Sequence, residues 1–231
     1  MQSSLKIFKD FDFFKEINQG LLSIWGDFGT GKTTLAIQLL LRNTYVNYKS
    51  IYIYTKPNFP FRRLYKIFEN DIEKISSNIL LIQSTNFDDL YQLVFNLEFI
   101  ILKNRKHNEK LIKLIVIDSL TDLYRLELDH EKKDKNFILN YRLNTILGNL
   151  AHLNNQYGID IAIVNELSKK SIDGELSEVE SGGNVMDYWI QNSIKIERLD
   201  TLNYRNLVFI NKIRDKTVKS KINFTANGFI S

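Results

Sequence analysis

Short apolar runs alternate with longer amphipathic segments between about residue 20 and residue 165. This alternation is typical of βαβ units, in which each helix crosses between two parallel strands. The apolar runs predict strands at 21–25, 50–55, 79–83, 112–118 and 159–165. The segments between them predict helices at 32–42, 61–75, 87–104 and 137–157. The pattern therefore predicts an α/β fold with a mainly parallel sheet flanked by helices.

The pattern changes after residue 165, where strand-like runs at 193–199, 207–212 and 221–225 are separated by short polar turns. Such turns leave no room for crossover helices, so these runs predict an antiparallel C-terminal extension of the sheet. The chain has 231 residues, of which 44% are hydrophobic, enough for one large core. We therefore expect a single domain over residues 1–231, with residues 1–20 as a short N-terminal segment.

A glycine-rich octapeptide that fits the pattern G-x-x-x-x-G-K-S/T lies between the first predicted strand and the first predicted helix. Its residues are Gly26, Asp27, Phe28, Gly29, Thr30, Gly31, Lys32 and Thr33, and Thr34 follows them. Glycines let the backbone curl so that several N–H groups and the start of the helix face one anion. Lys32 can reach the β- and γ-phosphates of a nucleotide, and the Thr33 hydroxyl suits Mg²⁺. The octapeptide therefore predicts a phosphate-binding loop for ATP and Mg²⁺.

The predicted strand at 112–118 is apolar and ends in Asp118. P-loop proteins place an acidic residue at such a strand end, where it holds the water shell of the metal ion. Asp118 is therefore the candidate for this Walker B position. For Asp118 to approach Thr33, we expect the first and fourth strands to lie side by side.

Composition and charge narrow the range of functions. The chain has 31 basic and 27 acidic residues, and its net charge of +4 permits a polyanionic partner without requiring one. Cysteine is absent, which excludes disulfides, cysteine-based zinc sites and thiol catalysis. No apolar run reaches the roughly 18 residues that a membrane span needs, so we expect a cytoplasmic protein without a membrane partner.

Three stretches carry a resemblance to a known family. Residues 115–125 read I-V-I-D-S-L-T-D-L-Y-R, which resembles the Walker B region of the RecA/RadA recombinase superfamily. Ser181-Gly182-Gly183-Asn184, which a predicted strand follows, resembles the end of that family's second DNA-binding loop. Residues 223–229 are similar to its terminal strand and turn, and the resemblance covers about residues 15–231.

This resemblance implies a RecA-like P-loop NTPase core, ATP and Mg²⁺ as ligands, and a role in homologous recombination or DNA repair. No helical N-terminal DNA-binding domain is expected before the core. A chain with the core alone is similar to the archaeal RadA paralogues. A recombinase or another repair protein is the implied partner. The chain contains no Phe-x-x-Ala sequence of the kind that links recombinase subunits, so self-assembly is left open.

Two positions depart from the recombinase pattern. The family has Thr-Glu-Gly after the second strand, where its glutamate activates water, but this chain has Thr55-Lys56-Pro57. A lysine ammonium is a cation and a donor, so Lys56 cannot accept the proton. At the end of the fifth strand Glu166 stands where the family has a glutamine that senses the γ-phosphate. Either Lys56 and Glu166 form an ion pair beside the γ-phosphate and hydrolysis is slow, or Glu166 has become the catalytic carboxylate that orients water.

The resemblance also implies two DNA-contacting loops, at about 125–136 and 167–183. Their candidate DNA-binding residues are Arg125, Lys132, Lys133, Lys169 and Lys170. Acidic residues balance the cations of the first loop and outnumber those of the second. Because each anion near the phosphate backbone weakens binding, we expect only weak, salt-sensitive binding of single-stranded DNA.

The sequence favours an ATP-binding accessory or regulator of a recombinase, with slow or absent ATP hydrolysis. One alternative is a competent ATPase that DNA stimulates. A second is a nucleotide-dependent regulatory protein of the KaiC-like kind, without a role at DNA.

Overall fold

The computed structural model of the chain describes residues 20–68, 77–106, 110–129, 131–172 and 174–230. Its strands are β1 (Leu21–Gly26), β2 (Lys49–Tyr54), β3 (Ile79–Gln83), β4 (Ile112–Asp118), β5 (Asp160–Val164), β6 (Leu167–Ile172), β7 (Glu175–Glu180), β8 (Ile190–Arg198), β9 (Tyr204–Asn211), β10 (Lys216–Thr225) and β11 (Gly228–Ile230). Its helices are α1 (Lys32–Tyr45), α2 (Phe61–Phe68), α3 (Phe87–Lys106), α4 (Leu120–Glu127), α5 (Lys133–Tyr157) and α6 (Gly183–Trp189). The expected N-terminal segment, except Gly20, and the end of the helix predicted at 61–75 lie outside the described residues.

Nine of these strands form one sheet in the order β11-β10-β9-β8-β1-β5-β4-β2-β3. Strands β3, β2, β4, β5, β1 and β8 pair in parallel. Strands β8 to β11 pair in antiparallel fashion. The predicted parallel sheet with an antiparallel C-terminal extension is therefore confirmed.

The central strands are covered on both faces, which explains why they are mainly apolar. Along β2, Tyr52 packs with α1 on one face. Ile51 and Ile53 pack with α3 and α5 on the other face. Among the described residues, no helix has both the length and the apolar character that crossing a membrane requires.

The expectation that β1 and β4 are neighbours was wrong, because β5 lies between them. Val164 of β5 is paired with Ile24 of β1 and with Asp118 of β4. The approach of Thr33 to Asp118 does not need adjacent strands, because α1 connects β1 to β2 and packs across β5 and β4 on the way. The start of α1 therefore lies near the carboxyl end of β4.

The two expected DNA loops contain more helix and strand than the sequence predicted. Helix α4 takes up the beginning of the first loop, and the second is mainly an antiparallel hairpin of β6 and β7. Helix α6 begins at the second of the two glycines and leads into β8, which is the strand expected after them. The hairpin was missed because L-S-K-K-S-I in β6 is too polar to carry the alternation that marks a half-buried strand.

Candidate functional site

The glycine-rich loop joins β1 to α1 at the carboxyl edge of the parallel sheet. Gly29 and Gly31 have φ values of 73° and 112°, in the left-handed region that favours glycine. A Cβ atom on Gly31 would lie 2.8 Å from the Phe229 ring and 2.9 Å from the Phe224 ring. No side chain caps the start of α1, so its first N–H groups face the loop. The loop and the helix together form a cradle suited to phosphate.

Lys32 is buried within this loop, with 5% of its surface exposed. Its ammonium group donates to the backbone oxygens of Gly26 and Asp27 at 2.9 Å each. It also donates to Oε2 of Glu166 at 2.7 Å. An ammonium has three hydrogens, so these acceptors occupy every donor that Lys32 has.

Thr33 and Asp118 meet beside the loop. The Thr33 hydroxyl donates to Oδ2 of Asp118 at 2.7 Å, and the hydroxyl of buried Tyr52 donates to the same oxygen at 2.8 Å. Burial, the Asp118 charge and that hydrogen bond raise the pKa of Tyr52 well above its ordinary value, so Tyr52 remains a neutral donor. The other Asp118 oxygen, Oδ1, is buried and accepts no hydrogen bond.

These groups fit a hydrated Mg²⁺ ion. Magnesium keeps several of its waters, and the unsatisfied Oδ1 of Asp118 could accept a hydrogen bond from one of them beside the Thr33 hydroxyl. The hydroxyl of Thr34 is also buried without a hydrogen-bond partner, one residue further along α1. A phosphate oxygen could accept a hydrogen bond from this Thr34 hydroxyl.

Lys56 follows β2 and faces three carboxylates. Its Nζ lies 3.5 Å from Glu166 Oε1, 3.9 Å from Asp122 Oδ2 and 4.0 Å from Asp118 Oδ1. Burial alone would lower the pKa of Lys56, but the charges of Asp118, Asp122 and Glu166 outweigh it and raise that pKa. Lys56 is therefore a permanent cation at neutral pH, and the ion pair with Glu166 is present.

The peptide bond between Asp118 and Ser119 is cis. Ser119 then caps α4, since its hydroxyl accepts from the backbone N–H of Asp122 at 3.3 Å. This cap fixes the start of the helix that carries Asp122.

A groove of about 870 Å³ begins at Gly29 of the loop and Thr34 of α1. Its basic lining residues are Arg62, Arg63, Lys66, Arg198 and Arg205. Polar lining also comes from Asn203 and Thr225, and Arg198 donates a hydrogen bond to the Phe28 carbonyl of the loop. Sequence reasoning missed the contributions from β8, β9 and β10, because no local motif connects these distant segments to the loop.

The candidate DNA-binding residues do not all come together. Arg125 and Lys170 line a groove of about 670 Å³ with Gly182, Gly183 and Asn184. The remaining candidates, Lys132, Lys133 and Lys169, are not among its described lining residues.

Two of these three candidates face acidic residues. Lys132 pairs with Asp129 at 3.7 Å. Lys169 lies opposite Glu178 in the hairpin of β6 and β7. Lys132 therefore presents less free positive charge than a count of cations suggests, whereas the Glu178 carboxylate opposite Lys169 is paired with Lys195 at 2.9 Å.

The sheet order, the glycine loop and the acidic end of β4 together define a P-loop protein with a RecA-like fold. The sequence model of the Rad51 family matches residues 16–196, which is more than half of the chain. The chain therefore belongs to the Rad51 family.

Its relatives include proteins named "DNA repair and recombination protein RadB". The one from Methanosphaera stadtmanae is 30% identical over 183 residues, covering 79% of this chain and 75% of the relative. The one from Methanobrevibacter smithii is also 30% identical over 183 residues, covering 79% and 74%. The relative from Methanococcoides burtonii is 25% identical over 205 residues, covering 89% and 86%. The resemblance to RadA paralogues, here of the RadB-like kind, is confirmed.

Proposed function

We propose that this protein is a nucleotide-binding RadA paralogue that assists or regulates a recombinase in homologous recombination or DNA repair. Its relatives are named as DNA repair and recombination proteins, which supports the cellular process. The site binds ATP with Mg²⁺ and hydrolyses it slowly or not at all. The observation that carries this proposal is the Lys56 ammonium standing 3.5 Å from Glu166 at the phosphate site.

Nucleotide binding uses the loop backbone, side chains at the start of α1 and Asp118 at the end of β4. Backbone N–H groups of the loop hold the α- and β-phosphates, and the Thr34 hydroxyl gains a partner there. Thr33 and Asp118 hold Mg²⁺, which neutralises phosphate charge when bound. The nucleoside occupies the groove that begins at Gly29 and Thr34. Its Arg63 is exposed and has a guanidinium plane that can stack on a base.

Slow hydrolysis follows from the charges around Lys56. Because neighbouring carboxylates raise its pKa, Lys56 cannot take a proton from water at neutral pH. Glu166 cannot replace the missing base while Lys32 and Lys56 engage its two oxygens. Loss of general-base catalysis alone lowers turnover by about 10²-fold or more.

A competent DNA-stimulated ATPase is the second candidate, and the position of Glu166 favours it. Glu166 is a carboxylate beside Lys32, so movement of Lys56 would leave it able to orient water. Turnover of Glu166→Gln separates the two functions. If the protein hydrolyses ATP slowly because Glu166 is not catalytic, the variant keeps the wild-type rate or exceeds it. If Glu166 is catalytic, the variant should lose most of the ATP turnover.

The decisive experiment measures ATP turnover with and without single-stranded DNA, using Lys32→Ala as the blank. We expect wild-type turnover close to the blank in both conditions, together with nucleotide binding that the blank lacks. Turnover that rises about tenfold or more on adding DNA would establish the competent ATPase instead.

DNA binding by this protein is weak and salt-sensitive under the same proposal. Arg125 and Lys170 form the basic part of one groove. Asp129 pairs with Lys132, and acidic residues are interspersed with Lys169 and Lys170 along the hairpin. Fluorescence anisotropy with labelled single-stranded DNA should show binding that weakens steeply with salt, and less steeply in Arg125→Ala/Lys170→Ala. Tight binding at physiological salt would contradict this part of the proposal.

A further inference from the structure

Glu166 completes the hydrogen bonding of the loop lysine. Lys32 donates to two loop carbonyls and to Glu166, and the 2.7 Å contact with Glu166 is the shortest of the three. Because all three N–H donors are used, any phosphate oxygen that binds Lys32 must displace an acceptor already present. The two carbonyls belong to the loop backbone, whereas Glu166 is a side chain that can rotate away.

The β-phosphate and the γ-phosphate depend on Lys32 to different degrees. Backbone N–H groups of a P-loop cradle the α- and β-phosphates, so a diphosphate has many donors besides the lysine. The γ-phosphate extends beyond this cradle and relies on the lysine and the metal ion. An acceptor that occupies Lys32 therefore opposes a third phosphate more than it opposes the first two.

The charges of the site add to this opposition. Two cations, Lys32 and Lys56, contact the three carboxylates of Asp118, Asp122 and Glu166. Anionic groups already outnumber cationic ones, and a γ-phosphate would bring further negative charge next to Glu166. Because only 4% of the Asp118 side chain and 18% of the Glu166 side chain are exposed, solvent screens the repulsion between these carboxylates and a γ-phosphate only weakly.

The backbone holds Glu166 in this place. Its carbonyl accepts a hydrogen bond of 3.1 Å from the Ser181 N–H, and the next residue, Leu167, pairs with Glu180 at the base of the hairpin. Only 18% of the Glu166 side chain is exposed. The carboxylate is thus directed at Lys32 by a paired backbone on one side and by a second cation, Lys56, on the other.

We propose that Glu166 makes the site selective for nucleoside diphosphates, because its carboxylate holds the position on Lys32 that a third phosphate needs. This inference rests on the proposed nucleotide binding. ATP binds as well, but only after Glu166 has left Lys32, so ADP binds more tightly than ATP. Glu166 is here a specificity-determining residue.

Calorimetry of the full chain with ADP and with a non-hydrolysable ATP analogue, both with Mg²⁺, tests the inference. We expect the wild type to bind ADP about tenfold more tightly than the analogue. In Glu166→Gln the amide has no charge to oppose the γ-phosphate, so this ratio should fall to about one. Glu166→Asp keeps the charge on a shorter side chain and should give an intermediate ratio.

Glu175→Gln is the matched control, because Glu175 is an exposed glutamate of the same hairpin. It should keep the wild-type ratio. Thermal melting without nucleotide shows whether each variant is folded, and if Glu166→Gln is not, Glu166→Asp decides. Equal affinities in the wild type, or an unchanged ratio in the folded Glu166 variants, would overturn the inference. If the wild-type protein binds neither nucleotide, or binds both no more tightly than Lys32→Ala does, the proposed nucleotide binding would be refuted instead.

Discussion

The hydroxyl of Thr33 donates a 2.7 Å hydrogen bond to Oδ2 of Asp118, across 85 positions of the chain. Thr33 lies after β1, and Asp118 is the last residue of β4. These two strands are not neighbours, since β5 lies between them. Helix α1 brings them together because it begins at the loop and crosses the sheet toward β2. The contact therefore depends on the direction of a helix rather than on strand pairing, and it leaves Oδ1 of Asp118 without a hydrogen bond.

Replacing Asp118 with asparagine should weaken the contribution of Mg²⁺ to ATP binding. An amide keeps the size of the side chain but loses the charge that holds the metal's water shell. We expect the gain in ATP affinity on adding Mg²⁺ to fall by about 10- to 100-fold. Calorimetric titrations with Mg²⁺ and with EDTA measure that gain. Asp134→Asn, at an exposed position of α5 away from the loop, should keep it, and an unchanged gain in Asp118→Asn would show that Asp118 does not hold the metal.

Replacing Lys56 with glutamate and Glu166 with glutamine together should increase ATP turnover. Lys56→Glu alone places a fourth carboxylate among Asp118, Asp122 and Glu166, so we expect a lower melting temperature and no gain in turnover. The double variant Lys56→Glu/Glu166→Gln restores the number of carboxylates and supplies a general base. Its turnover should exceed that of the wild type by about 10²-fold.

A double-mutant cycle of melting temperatures gives a second measure of the same pair. The destabilisation by Lys56→Glu should be smaller in the Glu166→Gln background, because one of the three carboxylates that face position 56 is then neutral. Lys106→Glu, at the exposed end of α3, serves as the charge-reversal control. A double variant that melts no higher than Lys56→Glu and turns over no faster than the wild type would contradict the prediction.

Much of the sheet and of the phosphate loop could be predicted from the sequence. Strand β4 has the predicted bounds because its residues from Leu114 to Ile117 are all buried and apolar. The loop was recognisable because glycine, lysine and threonine must stand at fixed spacing to bind phosphate. The charge change at residues 56 and 166 could be noticed because each position follows a predictable strand.

The rest depends on contacts that leave no local signal. The order of β1, β5 and β4 is decided by how long connections cross the sheet, and hydrophobic periodicity does not specify that order. Lys32 donating to Glu166 joins residues 134 positions apart, and no spacing rule predicts it. The basic groove likewise collects Arg63 and Arg205 from separate elements.

Gln38 should be essential for attaching the C-terminal strand to α1. Its side chain is fully buried, and it accepts from the Phe229 N–H at 3.1 Å and donates to the Phe229 carbonyl at 3.0 Å. Gln38→Met has a similar shape but leaves two buried backbone groups unsatisfied. We expect the free energy of unfolding to fall by about 3 kcal/mol in urea titrations. Gln92→Met, at an exposed position of α3, should change it little, and an equal loss in both variants would contradict this role.

Glu180 carries a carboxyl group in an unfavourable environment at the base of the hairpin. Buried Ser23 and Asn165 both donate to its Oε1. Burial raises the pKa of Glu180, and these two hydrogen bonds and the charge of Lys212 offset that effect only in part. The folded protein therefore binds a proton at Glu180 more readily than the unfolded chain does.

This shift predicts how stability changes with pH. Where the folded state binds more protons than the unfolded state, the free energy of unfolding falls as pH rises. The contribution of Glu180 is therefore fully present below its ordinary pKa of 4.5 and is lost as pH rises through the raised value. Glu180→Gln cannot ionise, and its amide oxygen can still accept from Ser23 and Asn165. We expect the variant to melt above the wild type by a margin that grows from about pH 5 to about pH 8. Glu175→Gln should show no such trend, and a margin for Glu180→Gln that shrinks or stays constant over this range would mean that the carboxyl group is not destabilised by burial.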